Sequence, residues 1–376
     1  MQESTKFEVR TQGLFEWIAF WIGRVIVSLV VPVATFTVLI VGFRWLRDTV
    51  PAGNTEKILV SVVAIVWGVG GAAILYVVSN WLIEKLPAKW SKILQPFLFV
   101  GPAVAILAWY LALPTFRSFW ISLFNRDGSE FVGLGNYVAI FTERAMMVTF
   151  RNNLFWIVFG ATLAVIFGLL VAVLADRSRF ETLAKSLIFL PMAISMVGAG
   201  VIWNFIYEVK DIADPQIGLL NAIWVGLGGN PQAWTALNQP WNNVFLIIIM
   251  VWLQTGYAMV IFSAAIKGIP GELIEAARVD GATEVQVFFR IMIPYIMGTI
   301  ITVSTTVIIF TLKIFDIVMV MTGGQFGTHV IATQFYRQAF TNNNKGYAAA
   351  IAIVLFIAVV PVMIYNLKQF SEEEAF

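Results

Sequence analysis

Two groups of side chains in this sequence have the types and spacing to act on another molecule. The first is a polar stretch, Gly271-Glu272-Leu273-Ile274-Glu275-Ala276-Ala277-Arg278-Val279-Asp280-Gly281-Ala282, which follows Pro270, interrupts a long apolar region and runs on to Pro294. It offers a carboxylate beside apolar side chains, which is the chemistry of gripping a protein surface. The second group sits inside apolar runs: Asn204, Gln254, Tyr257, Ser304, Phe310 and Thr311. Polar side chains within membrane helices mark solute pathways, and amides, hydroxyls and flat aromatic faces together suit a sugar. Gln254 and Tyr257, three residues apart, share one helix face. Bond-breaking chemistry has no such footing. The chain holds no cysteine and a single histidine, His329, which removes structural disulfides and Cys/His zinc sites. No phosphate-cradling G-x-x-x-x-G-K-[ST] loop and no nucleophile–base set occur. The expectation is a non-catalytic chain with no cofactor or metal of its own. Nucleotide, if it drives this protein, binds elsewhere.

The elements that must position these residues are membrane helices. Of 376 residues, 59% are hydrophobic and 12% charged, against about 25% charged in soluble domains. A helix crosses a bilayer with about 20 apolar residues. Eight runs meet that length, near Trp21–Phe43, Ile58–Ile83, Phe97–Leu113, Leu154–Ala175, Leu187–Tyr207, Val244–Ala265, Met297–Met321 and Tyr347–Leu367. The fold expected is an all-α membrane protein of eight transmembrane helices, because the alternating strands of a barrel are missing. A net charge of +2 gives no footprint for nucleic acid. A slight excess of Lys and Arg places the polar stretch and both termini in the cytoplasm, and Met1–Glu16 reads as a cytosolic tail rather than a signal peptide. The chain divides into an N-terminal tail and hairpin (1–95), a third span with an external loop (96–153), a core (154–370) containing a cytoplasmic loop at 266–294, and an acidic tail (371–376). Gly160, Ala164, Gly168 and Ala172 leave one helix face free of bulk for close packing. Arg24 snorkels to the interface, Lys313 and Asp316 form an internal ion pair, His329 is incidental in an external loop, and membrane Ser and Thr bond their own backbone.

Residues 270–294 spell two short helices with a tight turn. Pro270 suits a first helical position and Glu272 the positive end of the helix dipole. Gly281 fits a left-handed helix end, and Thr283 with Gln286 makes a capping box. Val285, Phe288, Phe289 and Met292 fall at helical spacing as one apolar stripe.

The spacing Glu275-Ala276-Ala277, then Gly281, then Ile291-Met292-Ile293-Pro294 resembles the EAA loop of binding-protein-dependent ABC importer permeases, with Ile293 where the family often has Leu. The resemblance covers most of residues 95–370 and is nearest the maltose-type, carbohydrate-uptake branch. Ser118-Phe119-Trp120-Ile121-Ser122-Leu123-Phe124, Phe131-Val132-Gly133-Leu134-Gly135-Asn136-Tyr137, Pro191, Trp203, Phe315-Asp316 and Thr322-Gly323-Gly324 match its landmarks. The large inserted external domain of the enterobacterial maltose permease is missing. The resemblance implies a type I ABC importer permease core with an added N-terminal two-helix hairpin, multi-pass in a bacterial or archaeal plasma membrane. It implies a sister permease, two ATP-binding-cassette ATPase subunits that hold ATP and Mg, an extracytoplasmic sugar-binding protein, and an oligosaccharide or α-glucoside as solute. Glu275, Ala276, Ala277, Asp280, Gly281, Phe288, Phe289, Arg290 and Pro294 would couple to the ATPases. Tyr257, Phe310 and Thr311 fall where the family lines its sugar site, whereas Met250 and Ile314 replace polar groups there. A glycerol phosphate or polyamine permease competes within the same machinery, and an ion-coupled secondary transporter outside it.

Overall fold

The computed structural model describes residues 34, 37–45, 48, 54–86 and 88–373. Apart from an isolated bridge between Phe124 and Phe131, the described residues form helices and turns. Two compact units divide at Pro114 and Thr115.

The first unit contains α1 (Asn54–Glu84) and α2 (Ala88–Leu107). Tyr76 stacks on Phe99 with centroids 6.1 Å apart, and the Gln95 amide donates to Asn80 at 3.3 Å. The first expected span, near Trp21–Phe43, lies mostly outside the described residues, and Arg24 wholly so.

Helix α3 (Leu113–Ser122) leads into the second unit. There follow α4 (Gly135–Thr142), α5 (Arg144–Asp176), α6 (Glu181–Phe189), α7 (Met196–Tyr207), α8 (Leu219–Gly226), α9 (Trp241–Lys267), α10 (Gly271–Val279), α11 (Glu284–Tyr295), α12 (Met297–Leu312), α13 (Asp316–Thr322), α14 (Ile331–Tyr336) and α15 (Lys345–Glu373). Among the described residues, four helices are long and apolar enough to cross a membrane, Val60–Glu84 within α1, α5, α9 and Lys345–Asn366 within α15, or six when two bent pairs each count as one. The bends fall between α6 and α7 and, by 71°, between α11 and α12, and two of the expected runs are interrupted. The run Leu187–Tyr207 is broken, turning by 103° between α6 and α7, because a 3-10 turn at Leu190–Ala193 contains Pro191 and Ser195 caps α7 afresh by accepting from the Gly198 amide at 3.0 Å. The run Met297–Met321 is interrupted at Lys313, which separates α12 from α13. Lys313 and Asp316 form no ion pair there, contrary to expectation: the backbone break spoils the i, i+3 geometry on which that pairing depended.

The core is the α5–α9 pair. Gly160, Ala164, Gly168 and Ala172 are buried on the face toward α9, where a Cβ on Gly168 would collide with Ala258 and lie 3.0 Å from the Met259 nitrogen. Trp156, Leu246, Met250, Met259 and Phe262 complete that interior. At the head of the unit, the Asn136 amide donates to the carbonyls of Ser122 (2.8 Å) and Phe124 (2.7 Å), and the Tyr137 hydroxyl meets Ser122 Oγ at 2.6 Å. The Gly133–Tyr137 motif thus stitches its loop to α3. Thr305, Thr306 and Thr311 each donate to the carbonyl four residues back, at 2.9, 2.8 and 2.7 Å, as membrane threonines were expected to.

The two ends of the α5–α9 pair are held differently. At the Arg144 end, Asn152 donates to the carbonyls of Gly327 (2.7 Å) and His329 (2.9 Å), Asn153 accepts from the Ile331 amide (2.7 Å) and donates to Leu312 (3.3 Å), and Asn242 donates to Phe326 (2.8 Å). Four side chains of the two helices' doublets, Asn152-Asn153 and Asn242-Asn243, are buried there. At the other end, Asp176 of α5 accepts from Ser263 of α9 (2.8 Å) and pairs with Lys185 of α6, while Glu181 binds both Lys185 (2.6 Å) and Lys267.

Candidate functional site

The α10–α11 hairpin is built by strong local signals. Pro270 stands as the cap and Gly271 as the first helical residue of α10, with Glu272 in the first turn. Gly281 takes φ +80°, its amide donating to Arg278 (3.1 Å) while the Ala282 amide reaches Ala277 (2.9 Å). That double bond closes the helix, and the left-handed residue it needs favours glycine. Thr283 and Gln286 cap α11 reciprocally. Val287, Met292, Ile269 and Ile296 are buried together and anchor the hairpin, with Ile274, Ala277 and Phe288 at the margin.

The expected stripe of Val285, Phe288, Phe289 and Met292 is divided. A π-helical turn at Phe288–Met292 shifts the register, sending Met292 and Phe288 inward and leaving Val285 and Phe289 65% and 64% exposed. Val279, at the hairpin's bend, is 87% exposed. Glu275, Ala276, Asp280, Gly281, Arg290 and Pro294 are exposed too. Glu275 makes no hydrogen bond or ion pair among the described residues. Below the bend, Glu284 accepts from Arg278 (2.9 Å) and from Arg177 of the α5–α6 turn (2.7 Å). Glu284 beside it pushes the Arg278 pKa further up. The hairpin therefore presents an unpaired carboxylate and three large apolar side chains to its surroundings, on a base fixed by an apolar cluster and a shared carboxylate.

Of the residues expected along a solute path, Gln254, Tyr257 and Phe310 come together around a cavity of about 370 Å³ between α9, α12 and the α6–α7 break. Its other walls include Ser195, Met192, Ile194 and Thr306. The remaining three do not join them. Asn204 is exposed on α7, Ser304 is half-buried outside the cavity lining, and Thr311 is buried with its hydroxyl on Val307 and the Met250 sulfur. Ser195, Ile194 and Met192 were missed because the span was read as continuous. Pro191 followed by Ser195-Met196-Val197-Gly198, a helix breaker and then an N-cap serine, was the available signal. Helices broken at membrane depth characteristically line solute sites. Among the described residues no group of His, Cys, Asp and Glu could hold a metal ion.

Residues 164–370 match the family of the binding-protein-dependent transport system inner membrane component. The chain is 50% identical over 277 residues to the osmoprotective compounds uptake permease protein of Synechocystis, covering 74% of this chain and 99% of that protein. It is 44% identical over 332 residues to the alpha-glucoside transport system permease protein of Rhizobium meliloti, covering 85% of this chain and 98% of that one. Its fold is similar to a chain in the crystal structure of a bacterial alginate ABC transporter in complex with alginate pentasaccharide-bound periplasmic protein, with a TM-score of 0.62, 19% identity, and coverage of 74% of this chain and 95% of that chain. With its bent apolar helices and exposed α10–α11 hairpin, this chain belongs to the family of inner-membrane permease components of binding-protein-dependent ABC transport systems.

Proposed function

We propose that this chain is one of two membrane subunits of an ATP-driven sugar importer, moved by ATPase subunits that grip the α10–α11 hairpin in the cytoplasm. The observation that carries this reading is the hairpin itself, which exposes Glu275, Val279, Val285 and Phe289 while its base is anchored by Val287 and Met292. Large apolar side chains held out on an anchored base suit a docked partner. Glu275 pairs with a cation of the ATPase, and motion there passes through Glu284, Arg177 and the α5–α9 ends into the core. ATP and Mg reside on the ATPases, an extracytoplasmic binding protein delivers the solute, and a sister permease completes the path.

The cavity at the α6–α7 break takes the solute. Its volume lies within the range of about 300–1,000 Å³ usual for ligand pockets. Gln254, Ser195 and Thr306 supply hydrogen bonds, and Tyr257 and Phe310 supply aromatic faces. The alpha-glucoside permease relative supports an α-glucoside as solute.

The test is the assembled complex in proteoliposomes. Glu275→Lys abolishes the ATP hydrolysis that loaded binding protein stimulates, while the subunit inserts at normal levels. Normal stimulation in that variant overturns the coupling role. Uptake that persists with ATP depleted and ion gradients intact overturns the importer reading altogether.

A further inference from the structure

At the Arg144 end of α5 lies a cleft of about 710 Å³, walled by the first turn of α5, the glycine-rich loop after α13, and α14. Its charge is one-sided. Arg144 and Arg337 both line it and both are exposed, and no carboxylate is among the lining residues. Arg144 makes no side-chain hydrogen bond or ion pair among the described residues. The Arg337 guanidinium faces His329 Nε2 at 3.4 Å. A guanidinium only donates, so the ring nitrogen facing it accepts, and His329 Nδ1 donates to Thr333 Oγ1 at 3.2 Å. His329 therefore occupies the cleft as a neutral ring and leaves both guanidiniums without an anion.

The cleft's loop wall is also tied to the helices beside it. Gly323, Gly324, Phe326 and Gly327 all have positive φ, and the His329 ring sits where a Cβ on Gly324 would have to go. Asn152 and Asn242 hold this loop by three carbonyls. Preorganised walls lower the ordering cost of binding. Helix α5, at 33 residues and 1.5 Å each, separates this cleft from Arg177 and the hairpin by about 50 Å, enough to put the two on opposite membrane faces.

We propose that this cleft receives a carboxylate side chain of the extracytoplasmic binding protein, with Arg144 and Arg337 as its partners; this rests on the importer reading above. A protein side chain fits better than a charged solute for two reasons. None of the cleft's lining residues lines the cavity at the α6–α7 break, and the α-glucosides named for a relative carry no charge.

The experiment titrates loaded binding protein against the complete complex in proteoliposomes and reads ATP hydrolysis. In R144Q/R337Q the binding-protein concentration giving half-maximal stimulation rises about tenfold. R144K/R337K, which keeps both positive charges but not the guanidinium fork, shifts less than R144Q/R337Q and keeps the parent's salt slope. The parent's half-maximal concentration rises with added salt, and R144Q/R337Q loses most of that slope. An unchanged half-maximal concentration in R144Q/R337Q overturns the proposal. So does an increase that is equal at all salt concentrations, which reports altered shape rather than lost charge, and so does a loss of uptake confined to anionic solutes. A parent complex that binding protein does not stimulate at all defeats the importer reading itself, and this inference with it.

Discussion

At the Arg144 and Trp241 ends of α5 and α9, neutral amides hold the chain together; at the Asp176 and Lys267 ends, charged groups do. The asparagine end ties mainly to backbone groups, with Asn153 joining Ile331 and Leu312 and Asn152 joining Gly327 and His329, while Asn243 accepts from the Trp156 indole. Such bonds are directional and leave nothing to exchange. The ionic end shares its partners, with Glu181 between Lys185 and Lys267 and Glu284 between Arg177 and Arg278. A shared carboxylate can release one cation while holding another, so elements joined this way shift at small cost. On the importer reading proposed above, a loop fixed at one end, and at the other a hairpin anchored on Val287 and Met292 beside ion pairs that can exchange partners, suit a lever worked from one side of the membrane.

The largest effect falls on the most enclosed part of the ionic end. Lys185 and Asp176 have side chains only 18% and 12% exposed, and Asp176 Oδ2 is buried with no hydrogen-bond partner. Lys185→Met strands that carboxylate, at a cost of about 3–5 kcal/mol, read as a lower thermal unfolding midpoint of the purified subunit. Adding Asp176→Leu recovers most of the loss. An unaltered midpoint in Lys185→Met removes this pair from the comparison.

Next comes the asparagine end. Asn153→Leu orphans the Ile331 amide and takes one donor from the Leu312 carbonyl, each in the interior, and costs about 1–3 kcal/mol. Hydrogen exchange sharpens the comparison, because the Ile331 amide exchanges faster while amides of α10 and α11 keep their parent rates. Equal acceleration at both ends shows that they are one cooperative unit, and the contrast then fails.

Much of this was legible in the sequence, but unevenly. The hairpin's turn was readable because Gly281, Thr283 and Gln286 act within four residues of themselves, and local geometry follows local sequence. The division of the stripe was not, since the π-helical turn at Phe288–Met292 depends on where Val287 and Met292 find apolar neighbours. Six of the eight apolar runs lie within or overlap the helices of the apolar spans, but composition does not reveal a bend, and the α6–α7 break needed Pro191 and Ser195 to be weighed above hydropathy. Gln254, Tyr257 and Phe310 converge as their types suggested. Asn204 and Ser304 do not, because a side chain's rotation about its helix is set by tertiary packing. The doublets Asn152-Asn153 and Asn242-Asn243 were a visible oddity at the heads of two apolar helices. What they bind, a loop some 170 and 80 residues away in sequence, was not.

His329 tests whether the asparagine end is as indifferent to conditions as its neutral bonds imply. Burial, then the neighbouring Arg337, hold its pKa below the ordinary 6.5. The unfolded chain therefore takes up a proton at a higher pH than the folded one. Stability from this group is full above 6.5 and is lost as pH falls through the window beneath it. Acidification from pH 7.5 to about 5.5 accordingly speeds exchange of the Val330 and Ile331 amides, and His329→Gln flattens that response. A profile that is flat in the parent denies His329 any part in holding the loop.

The smallest effect is expected where charges are most exposed. Arg177, Glu284 and Arg278 form a half-exposed triad at the foot of the hairpin, and screening lengths fall from about 30 Å at 0.01 M salt to about 3 Å at 1 M. Rising salt weakens the triad, so amides around Thr283 to Val287 exchange faster, and Glu284→Gln removes that dependence. The Ile331 amide serves as the internal control, since a hydrogen bond from a buried backbone N–H to an asparagine oxygen involves no net charge to screen. If salt moved both ends alike, the ionic and amide chemistries would not be separable functions of position. If it moved neither, the triad would be ornamental, and stiffness at the base of the hairpin would have to come from Val287, Met292 and their apolar neighbours alone.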